Sequence, residues 1–310
     1  MGIFRGMAYK NSVLFIFLDG FGLGKADENN PLYIHGLPGL ERKIGCKLLS
    51  GSSISTSSVL LKGIDACLGV SGIPQSATGQ TALFTGKNAP SLLGFHLPAF
   101  PNQQLIEFIH SHSVIKQVID IGLRATFANA YSNKYFEKVA QGKYTHSVTT
   151  HCVYAAKIPV RTTDDMQQGD AVYWDITRAY LNSTEGAETI SPKIAGTHLS
   201  SIASKHELTL FECFATDLIG HSTSMEKAAH ILSIIDEFIC GILDTLPENI
   251  SLLLSSDHGN IEDLSVGSHT KNAVPLLVIG PAATSFSSIH RIDQITPAII
   301  DLFRGSTAIQ

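Results

Sequence analysis

The feature that most constrains this chain is a set of short apolar runs, several of which end on an aspartate. Residues 13–18, 59–61, 124–130, 208–215, 251–255 and 275–279 are such runs, each of a length that suits a buried strand. Between them, residues 104–121, 225–246 and 293–303 carry apolar side chains at helical spacing. Strands that are apolar throughout and alternate with helices imply an α/β fold, with a mainly parallel central sheet and helices on both faces. A hydrophobic content of 44% against 16% charged residues supplies a core for one large domain or two modest ones in 310 residues.

The rhythm breaks once. From about residue 134 to 190 the chain is more polar and is punctuated by Gly142, Pro159, Gly169 and Gly186. The expected organisation is therefore a core of residues 1–133 and 191–310, with 134–190 as a small inserted cap.

A net charge of -5 gives no bulk attraction to nucleic acid or to an acidic membrane, so neither is an expected partner. Arg5 and Lys10 precede the run 13–18 as they would in a secretory leader, but that run is too short for a leader core and passes straight into Asp19. No apolar stretch approaches the length of a membrane span. The five cysteines (Cys46, Cys67, Cys152, Cys213 and Cys240) are scattered, with no Cys-x-x-Cys pair, and read as reduced, buried thiols. A soluble cytoplasmic protein is the expectation, and the sequence carries no signal for oligomeric state.

Ligands of open α/β sheets bind just beyond the carboxyl ends of the strands. Here 13–18 runs into Asp19, 208–215 into Asp217 with His221 one helical turn later, and 251–255 into Asp257 and His258. His269 lies in the loop before 275–279. Three carboxylates and three imidazoles at one sheet edge suit Zn²⁺ or Mn²⁺, and they are about enough for two ions. In residues 72–86, Gly72 and Pro74 make a turn and Ser76 opens an apolar helical stretch. The field of a helix N-terminus favours an alkoxide and a bound phosphate, and a nearby cation lowers the serine pKa further. Two divalent ions with three aspartates leave a charge of roughly +1, which attracts a phosphate dianion far more than a neutral amide or sugar. Two ions about 3.5–4 Å apart can hold both the attacking and the leaving oxygen of an in-line displacement.

Five segments in order resemble the alkaline phosphatase superfamily, and its cofactor-independent phosphoglycerate mutase branch in particular. They are Leu18-Asp19-Gly20-Phe21-Gly22, Gln75-Ser76-Ala77-Thr78-Gly79, Thr216-Asp217-Leu218-Ile219-Gly220-His221, Asp257-His258-Gly259-Asn260 and the segment from His269 to Pro275. The resemblance implies one metal held by Asp19, Ser76, Asp257 and His258, and a second held by Asp217, His221 and His269. It also implies Ser76 as nucleophile, in preference to Thr78, because Ser76 has the family's spacing to Gly79 and Gly86. Mn²⁺ is favoured by the likeness to the mutase branch, with Zn²⁺ as the alternative. Mutases of that branch carry a large substrate domain where this chain has only the short insertion. The sulfatase branch needs a Cys/Ser-x-Pro-x-Arg setting, which Ser76 lacks.

The expected function is thus phosphoryl transfer on a small phosphorylated metabolite, with monoester hydrolysis through a phosphoserine in first place. A phosphomutase and a phosphodiesterase are the alternatives on the same nucleophile, and a catalytically silent metal-binding protein is the alternative of another class. Lys143, His146, His151, Lys157, Arg161 and Arg178 in the insertion are candidates to contact phosphate or leaving group. Arg161 comes first, because a guanidinium can grip phosphate through two hydrogen bonds. The segment Trp174-Asp175-Ile176-Thr177 stands out without an assignable role.

Overall fold

Seven residues that are all buried, Ser12–Leu18, form the strand at the heart of the molecule, β1. Side chains alternate across a strand, so β1 faces two cores at once. Val13, Phe15 and Phe17 enter one core, and Leu14, Ile16 and Leu18 enter the other. That two-sided burial is why the run is apolar throughout rather than alternating.

The computed structural model describes residues 11–307, so Arg5 and Lys10 lie outside the described residues. The remaining strands are β2 (Ile54–Ser55), β3 (Val59–Ile64), β4 (Ala125–Phe127), β5 (Ala130–Tyr131), β6 (Arg161–Thr162), β7 (Leu208–Cys213), β8 (Ile250–Ser255) and β9 (Val274–Ile279). Seven of them form one sheet in the order β2-β3-β9-β8-β1-β7-β4, and β5 and β6 pair separately. The core of the sheet, β8-β1-β7-β4, is parallel, as the sequence implies. β9 runs antiparallel to β8, and β3 antiparallel to β9.

Helices cover both faces. Ser76–Thr85, Gln103–His112, Val114–Asp120, Val148–Ala156 and Ile295–Thr307 line the first core, and Pro38–Ile44, Pro192–Ala203 and Met225–Leu243 line the second. Within 134–190, Val148, Cys152 and Val153 belong to the first core, whereas Met166, Ala171, Tyr173 and Leu181 gather with Ala130 in a small third cluster. The Trp174 ring stacks on Phe214 at 4.1 Å, which gives the segment 174–177 a packing role that its sequence does not announce. All five cysteines are free, with Cys152 and Cys213 buried and the other three only partly so. Among the described residues no helix is long and apolar enough to cross a membrane.

Candidate metal centre

Strand register brings the acidic residues together. Phe17 of β1 pairs with Ser255 of β8, so Asp19 and Asp257, each two residues on, emerge side by side. Leu18 pairs with Cys213 of β7, and the Asp19 N–H donates to the Cys213 carbonyl at 3.0 Å. The helix Ala215–Ser222 begins directly afterwards, and its one-turn spacing sets Asp217 and His221 on one face. Because β9 is antiparallel to β8, its beginning lies at the edge where β8 ends, so the loop leading into it can deliver His269 there. Ser76 is the first residue of a buried helix whose N-cap, Gln75, has extended backbone (φ -136°, ψ 149°). The serine therefore sits in the positive field of that helix N-terminus.

Two groups of ligands result: Asp19, Asp257 and His258, all buried, and Asp217, His221 and His269, which are more open. Within each group the donor atoms lie within 4.8 Å of one another. Ser76 Oγ is 3.0 Å from His258 Nε2, at the border of the first group. The two groups touch through their imidazoles, since the His258 and His269 rings stack at 3.7 Å with 16° between planes.

Each histidine is oriented by a backbone carbonyl at Nδ1. His258 faces Gly259 O at 3.3 Å, His221 faces Gly267 O at 3.3 Å, and His269 faces Pro74 O at 3.0 Å. A proton on Nδ1 leaves Nε2 as the free lone pair in all three, which is the arrangement a metal ligand requires. The aspartates are held as well. Gln80 Nε2 donates to Asp19 Oδ2 at 3.0 Å, and Asn260 Nδ2 donates to Asp217 Oδ1 at 2.7 Å.

What remains unpaired is informative. Asp19 Oδ1 and Asp257 Oδ2 are buried and accept no hydrogen bond, and they face His258 Nε2 at 3.2 and 3.5 Å. Acceptors converging in a dry site repel one another unless a positive charge lies between them. A divalent cation fits that donor set of two carboxylates, an imidazole and a hydroxyl. Without one, protons must serve. Burial, with Asp19 alongside, pushes the Asp257 carboxyl well above its ordinary range. Burial opposes charge on His258, but Asp257 and Asp19 outweigh it and raise this imidazole to about 10. Asp217 is also opposed by burial, yet His269, His258 and Asn260 bring it down to about 2.

Thr78 is the other hydroxyl near the helix start, but it is fully buried, donates to Gln75 O at 3.2 Å and accepts from Leu97 N–H at 3.2 Å. Its hydroxyl is thus engaged within the helix start and its flanking loop, whereas the Ser76 hydroxyl faces His258. Arg161 is not brought to either ligand group. Its guanidinium donates to Thr126 Oγ1 and to the Asp170 carbonyl, and Thr126 pairs with Thr209, near the start of β7 rather than its end. Arg178 similarly donates to Met166 O, and His146 takes the Tyr135 hydroxyl at 2.8 Å. Sequence alone does not mark Gln80 and Asn260 as positioning residues; the only signals are that Gln80 stands one turn after Ser76 and that Asn260 directly follows the Asp257-His258-Gly259 segment.

The profile of the metalloenzyme superfamily matches residues 11–306. The chain belongs to the metalloenzyme superfamily. Curated relatives of this superfamily member include the 2,3-bisphosphoglycerate-independent phosphoglycerate mutases of Desulforudis audaxviator and Acetivibrio thermocellus. The first is 28% identical over 106 residues, covering 32% of this chain and 21% of the relative. The second is 29% identical over 156 residues, covering 43% and 29%. The aligned regions thus span less than a third of those relatives. Among solved structures, the PH0037 protein from Pyrococcus horikoshii is similar with a TM-score of 0.58 and 15% identity, over 96% of this chain and 98% of that one. A cold-active alkaline phosphatase from Shewanella sp. is similar with a TM-score of 0.52 and 12% identity, over 93% and 99%. These two share the fold, and the two ligand groups are candidate divalent-cation sites of the kind the superfamily name implies.

Proposed function

We propose that this protein is a two-cation phosphomonoesterase that acts on a small phosphorylated metabolite through a phosphoserine at Ser76. The observation that carries the reading is the position of Ser76 Oγ. It lies at a helix N-terminus, 3.0 Å from His258 Nε2, beside one ligand group whose imidazole stacks on the other. Asp19, Ser76, Asp257 and His258 would hold one ion, and Asp217, His221 and His269 the second, with Mn²⁺ favoured over Zn²⁺. When bound, the ions supply the positive charge that favours the serine alkoxide and neutralises phosphoryl oxygens.

The chain's own residues do the rest. Ser76 Oγ gives up its proton and attacks phosphorus in line, a P–O bond to serine forms as the bond to the leaving oxygen breaks, and the alcohol departs with the equivalent of the proton that the serine lost. The N-terminal field of Ser76–Thr85 stabilises the phosphoryl group during this exchange. Water then cleaves the phosphoserine, restoring the hydroxyl and releasing inorganic phosphate. The parts of residues 134–190 that stand outside the two main cores act as a cap that selects the leaving group. The mutase relatives support a second reading, in which the cap excludes water until a product hydroxyl attacks the phosphoserine.

The test is turnover of an aryl phosphomonoester by metal-stripped protein reconstituted with Mn²⁺ or Zn²⁺, alongside Ser76→Ala. Hydrolysis that needs both the metal and Ser76 is expected. Hydrolysis that survives Ser76→Ala would remove the phosphoserine route. Bound metal with neither hydrolysis nor a phosphorylated Ser76 would make this a silent metal-binding protein.

A further inference from the structure

Glu262 is 1% exposed and has no cationic partner among the described ion pairs, yet both of its oxygens are occupied. Oε2 accepts from Gly22 N–H at 3.0 Å and from Asn260 N–H at 2.7 Å. Oε1 accepts from the Thr270 hydroxyl and from Asn272 Nδ2 at 3.1 Å. These donors come from three separate loops. Gly22 follows Asp19, Asn260 follows Asp257 and His258, and Thr270 and Asn272 follow His269. Two of those loops serve the first ligand group and the third serves the second.

The chain clears space for this carboxylate. A Cβ on Gly22 would lie 2.4 Å from Glu262 Cδ, and one on Gly259 would lie 2.2 Å from Glu262 Oε1. Two glycines of the ligand-bearing segments are thus where they are because Glu262 fills the volume their side chains would take. Glu262 itself belongs to neither ligand group.

We propose that Glu262 is the positioning residue of the whole metal centre, a buried carboxylate that clamps the three ligand loops and makes the two cation sites depend on one another. This rests on the two-cation reading above. Loops tied to one carboxylate cannot shift separately, so ordering the Asp19 and Asp257 loops around one ion also fixes the His269 loop for the other. A glutamine cannot replace Glu262. It offers one acceptor oxygen and one NH₂: with the NH₂ toward Gly22 and Asn260 it meets two backbone donors, and with the NH₂ toward Thr270 and Asn272 it forces both side chains to stop donating and to turn an acceptor inward, so the clamp loses its charge and its set of donors.

The experiment titrates metal-stripped protein with Mn²⁺ alone, by calorimetry and by electron paramagnetic resonance. Wild type, Glu262→Gln and Thr270→Val are compared, with melting of each metal-free protein as the control. Wild type is expected to bind two ions and to show a spin-coupled pair. In Glu262→Gln both affinities fall by about 10–100-fold, the usual effect of losing a residue that orients metal ligands, and the coupled signal is lost. Thr270→Val removes one donor on the His269 side, so it weakens the second ion most and reduces its coupling to the first; wild-type binding of both ions in this variant would count against the clamp even if Glu262→Gln does not fold. Wild-type affinities and coupling in Glu262→Gln would overturn the proposal, as would a lowered melting point with unchanged affinity per folded molecule. A wild type that binds fewer than two ions would instead sink the two-cation reading on which the proposal stands.

Discussion

A carboxyl group buried without an adjacent cation prefers to keep its proton, and Glu212 of β7 is in that situation. It is 7% exposed, and its Oε2 accepts from Thr149 Oγ1 at 2.6 Å. Burial raises it, the Thr149 bond partly offsets this, and the Asp19 charge raises it again, to about 7. In the unfolded chain the same group titrates near 4.3. Between those values the folded state holds the extra proton, so stability falls as pH rises, by on the order of 3 kcal/mol once pH exceeds the folded value. Metal-free Glu212→Gln should match wild type near pH 4, be the more stable protein at pH 8, and lose that part of the slope. Urea midpoints across the range decide it, and equal slopes in the two proteins would remove Glu212 as the source. Nothing in the sequence marks Glu212, because a glutamate inside an apolar run looks like any break in the run. Asp19, Asp217 and Asp257 were legible because they end such runs, where a sheet exposes its edge. Arg161 looks free in the sequence because it is a guanidinium in a polar insertion, whereas Thr126 and the Asp170 carbonyl occupy it in the fold.

At the scale of elements, the helix Ser76–Thr85 is fixed by how closely it approaches the turn that follows β8. All ten of its residues are buried, and a Cβ on Gly79 would stand 2.8 Å from the Asp257 carbonyl oxygen. Gly79→Ala therefore sets two effects against each other. Alanine gains about 1 kcal/mol of helix propensity, and crowding costs about 1–3 kcal/mol. The expected sum is a loss of up to about 2 kcal/mol. A larger relative loss of Mn²⁺ affinity should accompany it, because Ser76 and Gln80 ride on the same helix as it is pushed away. A more stable variant with unchanged metal affinity would show that the helix can move freely. Element identity was legible here, but some boundaries were not. The run 124–130 reads as one strand, yet β4 stops at Phe127, because the Asn129 side chain takes over the pairing with β7 by bonding both the N–H and the carbonyl of Glu212. Helical spacing over 104–121 reads as one helix, yet it breaks at Ser113, whose backbone is extended and whose hydroxyl caps the second half. Apolar periodicity continues smoothly through such a break, so periodicity cannot reveal it.

Across the whole molecule, the candidate centre joins loops that lie far apart in sequence: those after β1, β7 and β8, the one before β9, and the start of the helix Ser76–Thr85. Ion binding should therefore be felt as global stability. At a hundredfold excess over Kd each site contributes about 2.7 kcal/mol if the unfolded chain does not bind. Mn²⁺ should raise the melting temperature and a chelator should lower it, and a melting temperature indifferent to both would separate these residues from any metal. The parallel core was readable from the two-sided apolar strands. The reversal of β9 is implicit only in the order of the ligands: a ligand that precedes its strand can share an edge with ligands that follow theirs only if that strand is reversed.

The central place of β1 has another consequence, one that concerns synthesis. Its two neighbours are β7 and β8, and Leu208 comes 190 positions after Leu18. At about 5–20 residues per second, this strand waits roughly 10–40 seconds on the ribosome before its first partner exists. Throughout that interval a seven-residue apolar segment without proline, glycine or charge has both edges open, which is the profile of a segment that pairs with copies of itself. The element that delivers Asp19 to the finished site is thus one that the nascent chain must keep covered, by a chaperone or by the ribosome, until β7 and β8 arrive.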